Sequence, residues 1–405
     1  MKILHLTWEY PPHKIGGLAT HIEELAKAQV RMGLEPVVVT CAFNDNYGYD
    51  EKDGVKVYRF DANHIPAEDF PSWALQMNTL LTNKATEALN EHEDIALIHA
   101  HDWLVSTAAV TLKHMYRKPL VVTLHSMEIG RRGGIYDDRQ KLIHDLEGRI
   151  VFESWKTICC SHYMKNATCS VFSTPWDKVD VIENGVDVNS LKTDLDLNEV
   201  KSRYALPNEK VIFFVGRHVW EKGLDILIGA FPAVLQQYPD AKLVIAGKGY
   251  MTDKCRQIAH DVGVAKKIVF TGFIEDNVMN ALYRLSDVVV VPSRYEPFGI
   301  VALEAMACDT PVIVSDTGGL SEIVEHDKDG LKVWVNNSES LSWGINRILG
   351  DVLFSDELCK NAKEKIKNIY SWDIISKKTK VLYDNILLQY EKSDWKAKRF
   401  VLEAN

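Results

Sequence analysis

The chain has 405 residues, of which 46% are hydrophobic and 25% are charged. This composition is that of an ordinary globular protein, and the length is enough for two domains that each bury a core. The formal net charge of −9 argues against nucleic acid or an anionic membrane surface as the main partner, because either would favour a basic surface.

Cysteine usage and the amino terminus predict a cytoplasmic protein. Seven cysteines occur without a C-x-x-C pair, which is typical of reduced thiols and of neither a disulfide framework nor a zinc ribbon. Glu9 and Pro11 interrupt the first apolar run too early for a signal peptide. No stretch approaches the roughly 18 apolar residues of a spanning helix, so no integral membrane segment is expected.

Short apolar runs alternate with amphipathic stretches over the first 190 residues. Strands are predicted over 3–7, 36–40, 56–59, 96–99, 120–124 and 157–160, and helices over 20–32 and 106–114. Such alternation is typical of βαβ units around a parallel sheet. The polar, acidic stretch 189–208 lacks this pattern and is predicted to be a linker that contains a short helix.

The alternation restarts after the linker. Strands are predicted over 211–215, 242–246, 268–271, 288–291, 311–314 and 330–333, followed by a helix over 371–392. We therefore predict an α/β protein with two Rossmann-like domains, 1–188 and 209–379, whose parallel sheets face a central cleft. A C-terminal helix over about 380–405 is expected to pack back on the first domain. Ligands of open α/β sheets bind at the carboxyl ends of strands, which makes the cleft the expected site.

Two carboxylates eight residues apart follow the predicted strand 288–291, in the string R-Y-E-P-F-G-I-V-A-L-E-A-M-A. Glu296 lies in the loop and Glu304 lies inside the helix that starts near Gly299. The free N–H groups of a helix start suit a phosphate, and carboxylates accept hydrogen bonds from sugar hydroxyls. The pattern favours a ligand that combines a diphosphate with two sets of hydroxyls.

This string resembles the E-x7-E signature of the family 4 retaining glycosyltransferases, which have the GT-B fold. The resemblance implies that Glu296 contacts the donor sugar and that Glu304 contacts the ribose. It also implies that the backbone of Phe298, Gly299, Ile300 and Val301 holds the phosphate and sugar.

A basic pair follows the first strand of the second domain, in the string V-G-R-H-V-W-E-K-G. Arg217 and Lys222 are five residues apart and can converge on one anion. The string resembles the G-R-x-x-x-x-K-G segment of the same family, which implies that both residues neutralise the departing diphosphate in place of a metal. Gly247, at the end of the strand 242–246, fits a nucleoside contact.

Three segments of the first domain resemble the same family. Gly16 and Gly17 open the first long helix, where the resemblance implies backbone contacts to phosphate and acceptor, and they fail the G-x-G-x-x-G pattern for NAD. His125 follows the strand 120–124 and is implied to lie at the reacting centre. The remaining residues are implied to lie on the acceptor side: Glu9, Asp102, Trp103 and Arg131.

A metal site is not predicted, although His99, His101 and Asp102 cluster in the sequence. Adjacent residues of an extended segment point to opposite sides, and no further ligand set is evident. We therefore expect no metal and no cofactor besides the nucleotide-sugar co-substrate.

The first-domain strings W-E-Y-P-P, G-G-L, H-D-W-L and T-L-H lean towards glucan-synthesising members such as glycogen synthase. The resemblance thus implies a retaining, metal-independent hexosyltransferase that moves glucose from ADP-glucose or UDP-glucose to an α-glucan or related acceptor. One alternative is a family 4 transferase that adds mannose or N-acetylglucosamine to a glycolipid or glycan. A sugar-nucleotide 2-epimerase normally lacks the E-x7-E string. A non-catalytic nucleotide-sugar-binding protein is disfavoured because His125 is present and so is the segment before the first long helix that ends in Gly16 and Gly17, here called the glycine loop. The sequence sets no oligomeric state.

Overall fold

A computed structural model describes residues 1–43 and 46–396 of the chain. The chain forms two compact units, the first made of residues 1–183 together with the segment from 372 onwards, and the second of residues 184–371. Both units are α/β with a mostly or wholly parallel sheet, which confirms the predicted class. Residues 397–405 of the predicted C-terminal helix lie outside the described residues.

The first unit is built on an eight-stranded sheet in the order β3-β4-β2-β1-β5-β6-β7-β8. All neighbours are parallel except β3 and β4, which form an antiparallel pair. The strands are β1 Lys2–Leu6, β2 Glu35–Ala42, β3 Gly48–Lys52, β4 Val55–Asp61, β5 Ile95–His101, β6 Leu120–Leu124, β7 Lys156–Cys159 and β8 Val179–Val181. The helices are α1 Gly17–Arg31, α2 Phe70–Glu91, α3 Ser106–Tyr116, α4 Glu128–Arg132, α5 Asp138–Glu153, α6 His162–Val171 and the C-terminal helix Trp372–Glu391.

The second unit is built on a six-stranded parallel sheet in the order β11-β10-β9-β12-β13-β14. Its strands are β9 Lys210–Val215, β10 Ala241–Ala246, β11 Ile268–Gly272, β12 Val288–Val291, β13 Val312–Ser315 and β14 Leu331–Val333. Its helices are α7 Leu197–Ser202, α8 Leu224–Gln237, α9 Thr252–Asp261, α10 Asp276–Leu285, α11 Ile300–Ala307, α12 Leu320–Ile323, α13 Ser338–Gly350 and α14 Val352–Ile369.

In both units, strands that are covered on both faces have buried and mostly apolar sequences. β12 consists of four valines, all buried, because helices cover both faces of a parallel sheet. Strand β6 is likewise buried along its whole length. Buried runs rich in β-branched residues are typical of such strands, and the predicted bounds 120–124 and 288–291 match the structure.

The boundaries of the two units differ from those read in the sequence. The division falls after Glu183, and the return to the first unit begins at Trp372 rather than near 380. The stretch 189–208 belongs to the second unit, because Asn280 Nδ2 donates to the carbonyl of Ser190 at 2.9 Å and α7 packs against α10. The stretch 189–208 is polar and acidic, so its packing on the second unit could not be recognised from the sequence.

Six elements of the first unit were absent from the sequence prediction: β3, β8, α2, α4, α5 and α6. Local signals for α2 and α5 are nevertheless present. Asp69 caps α2 by accepting from the backbone N–H of Ser72 at 2.9 Å, and Asp137 caps α5 by accepting from Gln140 at 2.8 Å. An aspartate in this position typically adds about 1 kcal/mol to helix stability.

The C-terminal helix completes the core of the first unit. Ile375, Tyr383 and Ile386 are fully buried in one apolar cluster with Ile3 of β1 and Leu25 of α1. This cluster joins residues 350 or more positions apart in the sequence, so the core of the first unit contains residues from both of its segments. Among the described residues, no helix has the length and hydropathy that a membrane crossing requires.

We expect Ile386→Ala to destabilise the protein by about 2–5 kcal/mol, because it removes a fully buried side chain and leaves a cavity. Urea unfolding measures the change. Leu388→Ala, two residues further along the same helix at an exposed position, is the matched control and should change the midpoint little. Equal effects of the two substitutions would contradict the packing described.

Candidate active site

An ion pair lies at the carboxyl ends of two adjacent strands in the second unit. Lys222 Nζ, in the segment after β9, donates to Glu296 Oε2, after β12, at 2.7 Å. The same carboxylate oxygen accepts from Ser293 Oγ at 3.0 Å. Both ionic side chains are largely buried, so the fold brings together a cation and a carboxylate that are 74 positions apart in the sequence.

Close backbone approaches at two glycines allow this pairing. A Cβ at Gly223 would lie 2.0 Å from the carbonyl oxygen of Pro292, and a Cβ at Gly318 would lie 2.1 Å from that of Glu296. Both glycines have positive φ angles, 64° and 53°. Any other residue would push the Lys222 segment or the loop of Glu296 away from the strand ends.

Arg294 joins the same two segments and escaped the sequence analysis as a functional candidate. Its guanidinium forms two hydrogen bonds to the carboxylate of Asp225, at 2.8 and 2.7 Å, and a third to the carbonyl of Trp220 at 2.7 Å. Such a two-pronged contact fixes orientation as well as distance. Arg294 therefore holds the segment that carries Lys222 against the loop that carries Glu296, and its guanidinium is already engaged within the protein.

Helix α11 carries the second carboxylate of the signature. Glu304 Oε2 accepts from the hydroxyl of Tyr283 at 2.6 Å, and Tyr283 is completely buried. Burial and the adjacent Glu304 raise the pKa of Tyr283 well above its ordinary value, so the hydroxyl keeps its proton for this bond. The carboxylate of Glu304 is thereby held in one orientation at the side of α11.

The remaining predicted site residues of the second unit differ in their exposure and in their contacts. Gly299 is the N-cap of α11, with Ile300 and Val301 in its first turn, both partly exposed, while Phe298 is buried. Arg217 is exposed and lies 3.6 Å from the carboxylate of Glu221. The backbone N–H of Gly247 donates to the carbonyl of Gly272 at 2.8 Å, directly after β10.

In the first unit, Glu9 organises the glycine loop from inside. It is buried, and its Oε2 accepts from the backbone N–H groups of Ile15 and Gly16, at 2.6 and 3.2 Å. Burial raises the pKa of this carboxyl to about 7, although the backbone N–H groups oppose the shift. Gly16 is the exposed N-cap of α1 and Gly17 is its first residue. Glu9 thus shapes the loop.

Asp102 likewise acts on the backbone. It follows β5 with φ 64° and ψ 177°, a conformation that costs a non-glycine residue about 1–3 kcal/mol. Its Oδ1 accepts from the backbone N–H of His125 at 2.9 Å, and its own N–H donates to the carbonyl of Thr123. Asp102 therefore ties the end of β5 to the segment after β6. Burial raises its pKa to about 6.

Trp103 does not match its expected place on the acceptor side. It is only 1% exposed and contacts Phe70 edge-on, with ring centroids 6.1 Å apart. A side chain this deeply buried fills the core and does not present a surface to an acceptor. The family resemblance implied an acceptor-side position for Trp103, but the indole follows a 3-10 turn at Trp103–Val105 and is buried.

Arg131 lies in an acidic surrounding on α4. Its guanidinium donates to Ser126 Oγ at 2.5 Å and to Glu128 Oε2 at 3.2 Å. Glu147 lies beneath, with Oε1 accepting from the backbone N–H of Glu128 at 2.8 Å. Burial raises the pKa of Glu147 to about 8, and Arg131 only partly offsets that shift.

Comparison with known proteins gives the family. Residues 198–368 match the model of the group 1 glycosyl transferases, and residues 15–190 match that of glycosyltransferase family 4. An uncharacterized glycosyltransferase of Methanocaldococcus jannaschii is 43% identical over 388 residues, which cover 95% of this chain and 98% of that protein. The chain belongs to the GT-B glycosyltransferases.

Two further proteins are similar to this glycosyltransferase. A glycogen synthase of Mycobacterium tuberculosis is 30% identical over 399 residues, 95% of this chain and 94% of that protein. The structure of sucrose-phosphate synthase from Thermosynechococcus elongatus superposes with a TM-score of 0.81 at 24% identity, over 96% of this chain and 99% of that one. The latter likeness shows the GT-B fold.

The glycosyltransferase also has a group of buried histidines that sequence reasoning undervalued. His99 and His101 are two residues apart on β5 and share one face, with ring centroids 4.3 Å apart. Nitrogens of two sets of three histidines lie within 4.8 Å of one another: His5, His99 and His101, and His21, His101 and His125.

These histidine nitrogens are close enough for a shared divalent cation, but hydrogen bonds account for much of that proximity. His101 Nε2 lies 3.1 Å from His5 Nδ1, and His101 Nδ1 lies 3.3 Å from His125 Nε2. Burial lowers the pKa of His5 to about 4 and that of His125 to about 3. Neutral imidazoles can either bind a metal or bond to one another.

The raised pKa of Glu147 predicts a pH dependence of stability. Its folded pKa of about 8 exceeds the unfolded value near 4.3, so the folded state keeps a proton that the unfolded state has lost. The stability is therefore present below about pH 4 and declines as the pH rises towards 8. Glu147→Gln should flatten this decline by up to about 1.4 kcal/mol per pH unit.

Urea unfolding midpoints at pH 5, 6, 7 and 8 measure the effect. Glu87→Gln, which changes an exposed glutamate of α2, is the matched control and should keep the slope of the unmodified protein. Parallel slopes for Glu147→Gln and the unmodified protein would show that Glu147 is ionised in the folded state.

Proposed function

We propose that this glycosyltransferase is a retaining, metal-independent hexosyltransferase that moves glucose from ADP-glucose or UDP-glucose to an α-glucan or a related sugar acceptor. The observation that carries the proposal is the contact of Lys222 with Glu296, because it places a cation and a carboxylate at adjacent strand ends. The 30% identity to a glycogen synthase over nearly the whole chain supports glucose and glucan as substrates.

The second unit would bind the donor. Arg217 and Lys222 supply positive charge for the diphosphate, and the backbone from Phe298 to Val301 supplies N–H groups at the start of α11. Glu296 accepts from hydroxyls of the sugar, while Glu304, oriented by Tyr283, accepts from those of the ribose. Gly247 lies after the neighbouring strand β10, where a nucleoside would lie.

The chemistry follows from the exchange of one ion pair for another. Lys222 is bonded to Glu296. A bound diphosphate competes for Lys222 and frees the carboxylate to accept from the sugar. When the bond between the sugar carbon and the phosphate oxygen breaks, the two cations stabilise the departing negative charge, so no metal is required. The oxygen of the acceptor hydroxyl bonds to the same sugar carbon on the face that the phosphate leaves, and its proton passes to the departing phosphate, so the configuration is retained without an enzymic nucleophile.

The first unit would serve the acceptor and the reacting centre. His125 is the residue proposed at that centre, and its backbone N–H is held by Asp102. Glu9 fixes the glycine loop, in which Gly16 and Gly17 are exposed and a Cβ at Gly16 would meet no atom within 4 Å, which leaves room for a ligand close to the backbone there. Arg131, partly exposed on α4, is proposed as a polar contact for the acceptor. The protein is proposed to work in the cytoplasm without a cofactor.

The proposal is tested by incubating the purified protein with glycogen or maltooligosaccharides and, separately, with ADP-glucose and UDP-glucose. A chelator excludes divalent metal, and release of nucleoside diphosphate is measured with and without acceptor. We expect acceptor-dependent release with one of the donors. Folded protein that releases neither diphosphate would instead favour a transferase for mannose or N-acetylglucosamine, while a strict need for metal would contradict the charge assignment.

Glu296→Gln should lower turnover by roughly 100-fold or more, the scale of losing one electrostatic contact in a transition state. The amide can still accept from Lys222 and Ser293, so the fold should be kept. Glu364→Gln, at an exposed site of α14, is the matched control for a glutamate-to-glutamine change. Near-normal turnover of folded Glu296→Gln would remove Glu296 from the donor site.

A further inference from the structure

Seven side chains of the first unit form one unbroken chain of hydrogen bonds, which we call the histidine chain. In order its members are Thr123, His99, Tyr383, Gln29, His5, His101 and His125. The successive distances between their polar atoms are 2.7, 2.6, 3.4, 2.9, 3.1 and 3.3 Å. The chain crosses β6, β5, the C-terminal helix, α1 and β1 before it returns to the end of β6.

A chain of neutral imidazoles has a direction. Each neutral ring has one N–H and one lone pair, so a ring that donates on one side must accept on the other. Burial lowers the pKa values of all four histidines, and those of His99 and His101 fall well below the ordinary range, so the rings are neutral near pH 7. The state of one member therefore determines the state of the next.

Gln29 sets the direction of the histidine chain. Its carbonyl Oε1 faces His5 Nε2 at 2.9 Å, and its amide Nε2 faces the hydroxyl of Tyr383 at 3.4 Å. Because the carbonyl can only accept, His5 carries its proton on Nε2 and accepts on Nδ1. His101 must then donate from Nε2 to His5 and accept on Nδ1. The last link requires His125 to donate from Nε2 to His101.

The other branch agrees with this direction. The Gln29 amide donates to Tyr383, whose hydroxyl donates to His99 Nδ1 at 2.6 Å, and His99 Nε2–H then donates to Thr123 Oγ1 at 2.7 Å. The reverse direction needs the Gln29 amide turned by 180°, with every histidine protonated on Nδ1 instead. The two arrangements thus predict opposite proton positions on His125.

We propose that the histidine chain holds His125 as the Nε2–H tautomer and leaves its Nδ1 as a hydrogen-bond acceptor for a hydroxyl of the transferred sugar. The part that concerns the sugar rests on the proposed function. Of the seven members, His125 alone is partly exposed, so it is the end that a ligand can reach. Gln29, His5, His101 and Tyr383 are then positioning residues, the farthest of them four hydrogen bonds from His125.

This proton position has a consequence for selectivity. A neutral ring with an acceptor at Nδ1 binds a hydroxyl, which can donate, and does not bind a phosphate or carbonyl oxygen, which can only accept. His125 would therefore favour the sugar end of a nucleotide sugar over its diphosphate. The basic residues Arg217 and Lys222, which favour the diphosphate, belong to the other unit.

The tautomer is measured by ¹⁵N NMR on protein labelled at histidine, at pH 7 and without substrate. We expect His125 to show a protonated Nε2 and an unprotonated Nδ1. Scalar couplings across N–H···N bonds should join His125 Nε2 to His101 Nδ1, and His101 Nε2 to His5 Nδ1. Because no substrate is needed, this result is independent of whether glucose and glucan are the substrates.

Two distant substitutions test whether the chain transmits its direction. Tyr383→Phe removes the hydroxyl that orients Gln29. Gln29→Met removes the acceptor for His5 and serves as the second variant if Tyr383→Phe does not fold. Either should give His125 a second tautomer population and lower kcat/KM for the sugar nucleotide by about tenfold, the scale of one hydrogen bond. Tyr58→Phe is the matched control, because the buried Tyr58 bonds to Glu91 outside the chain.

Four results would overturn the proposal. They are a proton on Nδ1 of His125, the absence of both couplings, a stoichiometric metal bound by these histidines in the purified protein, or an unchanged His125 signal in both variants. If the tautomer and couplings are as expected but no sugar nucleotide is used, the proposed function fails while the direction of the chain stands.

Discussion

Parallel strands within a sheet all present their carboxyl ends at one edge, and this constraint governs where each functional segment of the protein lies. In the first unit the glycine loop, Asp102 and His125 follow β1, β5 and β6, which are consecutive in the sheet. In the second unit, Lys222, Gly247 and Glu296 follow β9, β10 and β12, again consecutive. The rigid sheets fix the starting points of these loops, and short hydrogen bonds then fix the loops themselves. The contact of Lys222 with Glu296 and that of Asp102 with His125 are the two clearest examples.

Sequence periodicity was sufficient for the elements that lie in the middle of each sheet. A run such as β12 can satisfy its apolar side chains only as a buried strand, so its position was predictable to the residue. The antiparallel edge strand β3 has mostly exposed polar residues and gives no such signal. The helix α2 was missed because it follows an irregular segment and its apolar face is diluted by polar residues, although its aspartate cap and proline were visible.

The features of the candidate site likewise divide into those that the sequence indicated and those that it did not. The family resemblance pointed to Lys222, Glu296 and His125, each of which follows a predicted strand. It did not show that Glu9 and Asp102 hold backbone N–H groups, that Trp103 is buried, or that Arg294 bonds to Asp225. Those facts depend on partners distant in sequence or on one backbone angle, and neither is encoded in a local pattern. The histidine chain is the extreme case, since its members range from His5 to Tyr383.

The return of the C-terminal helix to the first unit has a consequence for synthesis. The first unit lacks part of its core, and the hydroxyl of Tyr383, until residues after 371 have left the ribosome. At ordinary translation rates the intervening segment takes roughly 10 to 40 s to make. During that interval the apolar surface around Ile3 and Leu25 has no covering helix, and the second unit has its whole sequence only when the interval ends. The first unit, although it is translated first, is therefore the last to be completed, and its exposed apolar surface is prone to aggregation until the C-terminal helix is made.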